Sequence, residues 1–175
     1  MSKAPETNFT VRPATAMDAA GVLRFLLELD CVVDTMLFEP NERITTEAQQ
    51  AEILLRFESA ATSHFYIAIS DNEIIGFCVI DGHTLRRIRH RGMLIVGVLP
   101  PFQHKGVGKE LLAQSLSAAK QSGLQKIELT VMPENDTAIR LYKKLGFKEE
   151  GLCKMAIERQ GIFSDLIYMG LIFKR

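Results

Sequence analysis

Two stretches of this chain carry residue types that could act together in chemistry. One is Gln103-His104-Lys105-Gly106-Val107-Gly108; the other runs from Asn135 to Tyr142. The first lies directly after an apolar run and directly before a helical pattern. Two glycines at this spacing let the backbone turn tightly with no Cβ in the way. Several N–H groups can then converge on an anion at a helix N-terminus, where the helix dipole adds attraction. A pyrophosphate suits such a cradle, with Lys105 and Lys109 adding charge and His104 serving as a polar loop residue. A plain glycine-containing helix entry satisfies the same letters. The spacing departs from the P-loop of ATP-binding proteins and from the GxGxxG of dinucleotide folds, which removes both rivals. In the second segment Asn135 can cap a helix, and Tyr142 can pack on its apolar side. Upstream, Gly97 interrupts the apolar run Met93 to Val98. An internal strand glycine marks a bulge, a close approach by a ligand, or simple close packing. A main-chain group freed there could hold an extended ligand as another strand would.

The elements that must position these residues follow from periodicity. Phe9 to Arg12 alternates and ends at Pro13, as a first strand does. From Asp18 onward, Val22, Phe25, Leu26 and Leu29 recur at helical spacing. Thr35 to Thr45 has no period and reads as a loop, after which Thr46 caps a helix through Ser59 carrying Ile53, Leu54 and Phe57. His64 to Ser70 and Ile74 to Ile80 form a hairpin around Asp71-Asn72-Glu73. Gly82 to Arg91 is basic, with Arg86, Arg87, Arg89, His90 and Arg91, and reads as a solvated connection before a substrate or phosphate patch. Gly92 to Leu99 is almost wholly apolar, the pattern of a central strand buried on both faces. Val107 to Gln121 is a helix with Leu111, Leu112, Leu116 and Ala119 on one side, and Lys126 to Met132 a further strand. Together they predict a right-handed β-α-β unit. Asn135 to Leu145 is the last helix, with Ala138, Leu141, Tyr142 and Leu145 on one face, closed by Gly146. Phe147 to Ile172 closes the chain as a hairpin around Gln160-Gly161.

With 175 residues the chain reads as a single domain over 1–175. Lys plus Arg and Asp plus Glu stand at 21 each, so no global field favours a nucleic acid. No apolar run is long enough to span a bilayer, and the polar start, Met1 to Thr10, has no secretory pattern. Cytoplasm is the expected location, with no membrane partner. Cys31, Cys78 and Cys153 lack the spacing of a disulfide framework or a zinc site, so no metal is expected.

In combination, QxxGxG after an apolar strand and N-x-x-A-x-x-x-Y ending in Gly146-Phe147 resemble the GNAT superfamily of N-acetyltransferases. The resemblance covers nearly the whole length and is strongest from Leu94 to Phe147. It implies an α/β (α+β) fold: a mixed central sheet of about seven strands flanked by about four helices, its two central parallel strands splayed. It further implies that acetyl-coenzyme A enters the gap as cosubstrate, its pantetheine arm along Val96 and Val98. Gln103, His104, Lys105, Gly106, Val107, Gly108 and Lys109 would wrap the pyrophosphate. Asn135, Ala138 and Tyr142 would lie across the arm near the thioester.

Amide formation from a thioester then assigns roles. The backbone N–H of Val98 is the expected oxyanion donor, a device typically worth about 3 kcal/mol or more. Tyr142 is the family-matched acid for the leaving sulfur, since a phenol with a pKa of about 10 stays protonated at neutral pH. For the base, His90 and Glu128 are the side chains to test, each reading first as an ordinary polar residue at a strand edge. A water chain is the alternative. The expected acceptor is the primary amine of a small, amino-acid-like metabolite. A protein N-terminus or lysine comes second, and a non-catalytic acyl-coenzyme A sensor is the reading from another class. The exposed edge near the C-terminus suggests a homodimer.

Overall fold

The computed structural model describes residues 8–174; the polar start through residue 7, read above for export signals, lies outside them. Seven strands form one sheet in the order β1-β2-β3-β4-β5-β7-β6. They are β1 (Thr10–Pro13), β2 (His64–Ser70), β3 (Glu73–Gly82), β4 (Arg91–Val98), β5 (Lys126–Val131), β6 (Lys148–Arg159) and β7 (Ile162–Ile172). Four α-helices pack on the sheet: α1 (Ala19–Val32), α2 (Glu47–Ser59), α3 (Val107–Gln121) and α4 (Asp136–Lys144). The mixed seven-strand, four-helix α/β architecture is the one expected from the sequence. Among the described residues no helix is long and apolar enough to cross a membrane.

Local chemistry sets the helix ends. Thr46 Oγ1 accepts from the Gln49 N–H at 3.3 Å while Gln49 Oε1 accepts from the Thr46 N–H at 2.8 Å, a reciprocal cap that starts α2. Asn135 Oδ1 accepts from the Ala138 N–H at 3.1 Å and starts α4. Two cores result, one on each face of the sheet. Leu111, Leu112, Ile127 and Leu129 are fully buried between the sheet and α3 and α4; Val22, Phe25, Leu29 and Leu54 fill the α1/α2 side. Each such side chain stabilises the fold by about 1.5–3 kcal/mol.

Two local expectations need correction, and one choice left open at Gly97 is decided. The β2–β3 turn uses two residues: Ser70 pairs with Glu73, and Asp71 and Asn72 take φ of 48° and 65°. Both central residues in the left-handed region match the right-handed twist of the flanking strands. Gly97 marks no bulge, because β3 and β4 keep register from Gly76↔Val98 to Gly82↔Gly92. A Cβ at Gly97 would lie 2.7 Å from Leu29 Cδ2 and 2.8 Å from Phe77 Cε1, so the glycine serves close packing of α1 against the sheet. Nor is β4 buried on both faces throughout: Leu94 is buried, but Ile95 is 48% exposed and Val96 to Val98 are half-exposed. The cause is the neighbour on its other edge. β4 and β5 pair in parallel only at Arg91↔Lys126, Gly92↔Ile127 and Met93↔Glu128, and beyond Met93 no ladder pairing joins them.

Candidate functional site

The gap between β4 and β5 is the mouth of a cleft of about 800 Å³. Val96 to Val98 form one wall, Met132 to Tyr142 the opposite one, and Val32 to Met36, from the end of α1, a third. Leu99 N–H donates to Ile75 O at 3.0 Å and His83 N–H to Arg91 O at 3.2 Å, so odd-numbered β4 residues face β3 with their main-chain groups. In an antiparallel ladder these groups alternate in direction, which turns the N–H and C=O of Val96 and Val98 toward the gap. Val98 O accepts from Gln103 Nε2 at 2.9 Å. The glutamine of the glycine-rich segment therefore ties that loop to the end of β4, a role the sequence alone did not suggest.

Gly106 is the N-cap of α3 at φ 87°, with no side chain capping the helix. The opening N–H groups of Val107, Gly108 and Lys109 have no partner within the helix. Apart from Gly106 and its chain neighbours, no atom of the described residues lies within 4 Å of where a Cβ on Gly106 would stand. This donor set suits a pyrophosphate: uncapped N–H groups, open space, and the positive end of a 15-residue helix. Gln103, His104, Gly106, Gly108 and Lys109 line the cleft. The Val107 side chain is buried in the core below, and Lys105 Nζ lies 5.6 Å over the Phe102 ring.

Asn135 and Ala138 line the cleft from the start of α4, and Tyr142 from near its end. Tyr142 is also a core residue, 7% exposed, its ring 5.7 Å from that of Phe147. Burial, and secondarily the nearby Cys78 thiol, push its pKa above the ordinary phenol value. Cys78 is itself pushed up to about 12 by burial. Both groups stay protonated at neutral pH.

The two candidate bases stand apart from this constellation. Glu128 sits opposite Met93, where the strands are still paired. It accepts from Arg91 Nη1 at 3.1 Å and pairs with Lys126 Nζ at 2.9 Å. Burial alone would raise its pKa, but Lys126 and Arg91 outweigh this and hold the carboxylate below its ordinary value. His90 is exposed, and its carbonyl oxygen accepts from Gln125 and Lys126 N–H at 2.8 and 3.1 Å. Among the described residues, the carboxylates that do line the cleft are Asp34 and Glu134. Sequence reading missed both, because each lies in a connection without periodicity.

Splayed central strands, a free strand edge and an uncapped helix N-terminus at one cleft define a class: mixed-sheet α/β proteins that draw an extended, phosphate-bearing ligand into the sheet. Comparison with known proteins specifies the class. A family model described as acetyltransferase (GNAT) family matches residues 30–147. The L-amino acid N-acetyltransferase AaaT of Escherichia coli is 30% identical over 107 residues, 61% of this chain and 66% of that protein. The match thus spans just under two-thirds of that relative's length. A GNAT-family acetyltransferase from Streptococcus pneumoniae has a TM-score of 0.92 at 26% identity, covering 95% of this chain and all of that one. A GNAT superfamily phosphinothricin acetyltransferase from Sinorhizobium meliloti, solved with acetyl-coenzyme A, shares the fold at a TM-score of 0.81 and 20% identity. It aligns over 94% of this chain and 88% of that one. The chain belongs to the acetyltransferase (GNAT) family.

Proposed function

We propose that this protein is an N-acetyltransferase that moves the acetyl group of acetyl-coenzyme A onto the primary amine of a small, amino-acid-like metabolite. The observation that carries the reading is the cleft itself, which joins an uncapped helix N-terminus, a free strand edge and a protonated phenol. Family membership supports it, as does the acetyl-coenzyme A carried by the Sinorhizobium meliloti protein.

In this reading the N–H groups at 106–109 hold the pyrophosphate, and the pantetheine arm lies along Val96 and Val98. The neutral amine attacks the thioester carbonyl. The Val98 N–H donates to the developing oxyanion, and such a preorganised donor contributes about 3 kcal/mol or more. As the C–S bond breaks, Tyr142 Oη donates its proton to the departing sulfur, and the proton that the attacking nitrogen sheds on becoming an amide returns to the phenolate through water in the cleft. The ammonium form of the acceptor must first lose a proton. With Glu128 held by two cations and His90 away from the cleft, we assign that step to water within it.

The test is acetyl-coenzyme A dependent release of free thiol across a panel of small amines, followed with mass detection of the acetylated product. Turnover on at least one amine is expected. Tight coenzyme binding with no thiol release would mark a sensor, and release with peptides alone would mark a protein acetyltransferase.

A further inference from the structure

On the α1/α2 side, no helix among the described residues packs on the sheet beyond β4. Met93 and Ile95 of β4, Thr130 of β5 and Tyr168 of β7 share this face, since Met93 pairs with Glu128, and Thr130 with Tyr168. Ile95 and Tyr168 are 48% and 44% exposed. This open, mostly apolar strip runs up to the cleft from the Glu128 group with Arg91 and Lys126, and along β7 its face continues through Ser164 and Ile162 to Arg159, the partner of Ile162.

Arg159 meets Asp34 from a distant segment. The β6–β7 hairpin carries an irregularity in which Cys153 and Ile157 face Leu166 and Ser164, four residues of β6 against two of β7 being spanned unevenly. Met155 takes φ 51° there, and its N–H donates to Asp165 Oδ1 at 2.9 Å. Such an insertion bends and twists a hairpin. The hairpin tip thus reaches the α1–α2 loop, where Arg159 Nη1 stands 3.8 Å from Asp34 Oδ1 and Nη2 donates to the Asp34 carbonyl oxygen. Asp34 also lines the cleft. Its loop is pinned from within by Arg43, which binds the buried Asp30 at 2.6 and 3.0 Å and stacks 4.2 Å over Phe38.

Arg159 differs from the other cations nearby. Arg91 and Lys126 are engaged by Glu128 and Glu150, and Arg43 by Asp30. Arg159 meets one carboxylate, at long range and on a side chain that is 97% exposed, and otherwise donates to the main-chain oxygen of the same Asp34. An exposed pair at that distance contributes little to stability and is readily exchanged. Opposite charges side by side at the edge of an apolar strip match a zwitterion with an apolar body.

Building on the transferase reading, we infer that Arg159 and Asp34 form the acceptor's charge clamp, Arg159 taking the carboxylate of a free α-amino acid and Asp34 its ammonium. The apolar strip then receives the side chain. A guanidinium is the suited partner, because its fork can bind a carboxylate through two N–H groups.

The experiment compares L-amino acids with their amides, which keep ammonium and side chain but lack the carboxylate. Thiol release is followed for wild type, Arg159→Gln, Arg159→Lys and Asp34→Asn. Wild type should prefer acids to amides in kcat/KM. Arg159→Gln should raise KM for the acids about tenfold, the lower end for a charged hydrogen bond at an exposed site, with a far smaller shift for amides and kcat nearly kept. Arg159→Lys should retain part of the preference, and Asp34→Asn should raise KM for acids and amides alike. Equal shifts for acids and amides in Arg159→Gln, or no wild-type preference, would overturn the inference while leaving the transferase standing. Absence of release with every amine would overturn both.

Discussion

On the α3/α4 side of the cleft, one continuous stretch, 103–109, supplies the loop, the left-handed glycine and the opening N–H groups of a helix. On the α1/α2 side the lining and its surroundings come from Val33 to Met36, Ile95, Thr130, Tyr168 and Arg159, brought together only by the sheet order. In the proposed reading the first side would recognise its ligand mainly through backbone, the second through side chains. A backbone cradle demands a particular chain path and therefore constrains sequence locally. A side-chain wall can be composed of many residue types, provided the topology delivers them. One side is suited to a donor common to a family, the other to an acceptor that varies within it.

The largest expected effect lies where the two sides meet. Tyr142→Phe should lower kcat about 100-fold, the lower end for loss of a positioned acid, with KM for acetyl-coenzyme A nearly unchanged. Its ring is buried against Phe147, so the phenyl keeps the packing and only the proton is lost. The pH profile sharpens this. Because burial raises the phenol pKa above its ordinary value, the proton is present below about pH 10, and no alkaline loss of kcat in that range is expected from Tyr142. Full activity in Tyr142→Phe would move the acid elsewhere, and the comparison would lose its meeting point.

Next in size is a change confined to the acceptor side. Gly97→Ala places a Cβ against Leu29 and Phe77 where Leu29 is fully buried, and overpacking of this kind costs about 1–3 kcal/mol. Thermal unfolding should shift down by about 2–4 °C per kcal/mol for a chain of this size. Because Leu29 belongs to α1, whose end carries Val32 to Met36, the displacement should raise KM for the amine more than for acetyl-coenzyme A. The reverse order would show that the displacement is passed along β4 to Val96 and Val98 and not through α1.

What the sequence made legible divides along the same line. The helix from Val107 to Gln121 and its glycine entry were readable because left-handed φ, a missing cap and a 3.6-residue period are all local. Thr46 and Asn135 were readable as caps for the same reason. Gly97 was ambiguous, since bulge and close packing leave the same letter, and only Leu29, far off in sequence, resolves it. Asp34 and Arg159 were invisible: they lie 125 residues apart, in a loop and beside a hairpin turn, and meet because β7 inserts between β5 and β6. Glu128 stood out as a carboxylate near the apolar strand. Its engagement by Arg91 and Lys126 depends on strand register, which no single segment encodes.

The smallest effect falls on the backbone-built side and separates two meanings of one glycine. At φ 87° an L-residue is strained, so Gly106→Ala should cost about 1 kcal/mol and lower the melting temperature by about 2–4 °C. Space is not the obstacle in the free protein, because among the described residues nothing beyond the chain neighbours lies within 4 Å of the added methyl. If a pyrophosphate occupies that space, the methyl must compete with it, and KM for acetyl-coenzyme A should rise by more than the loss of stability accounts for. Measuring KM well below the melting transition isolates the second term from the first. A stability loss with KM unchanged would make Gly106 a helix entry alone. The phosphate cradle would then have to be sought elsewhere along the same wall.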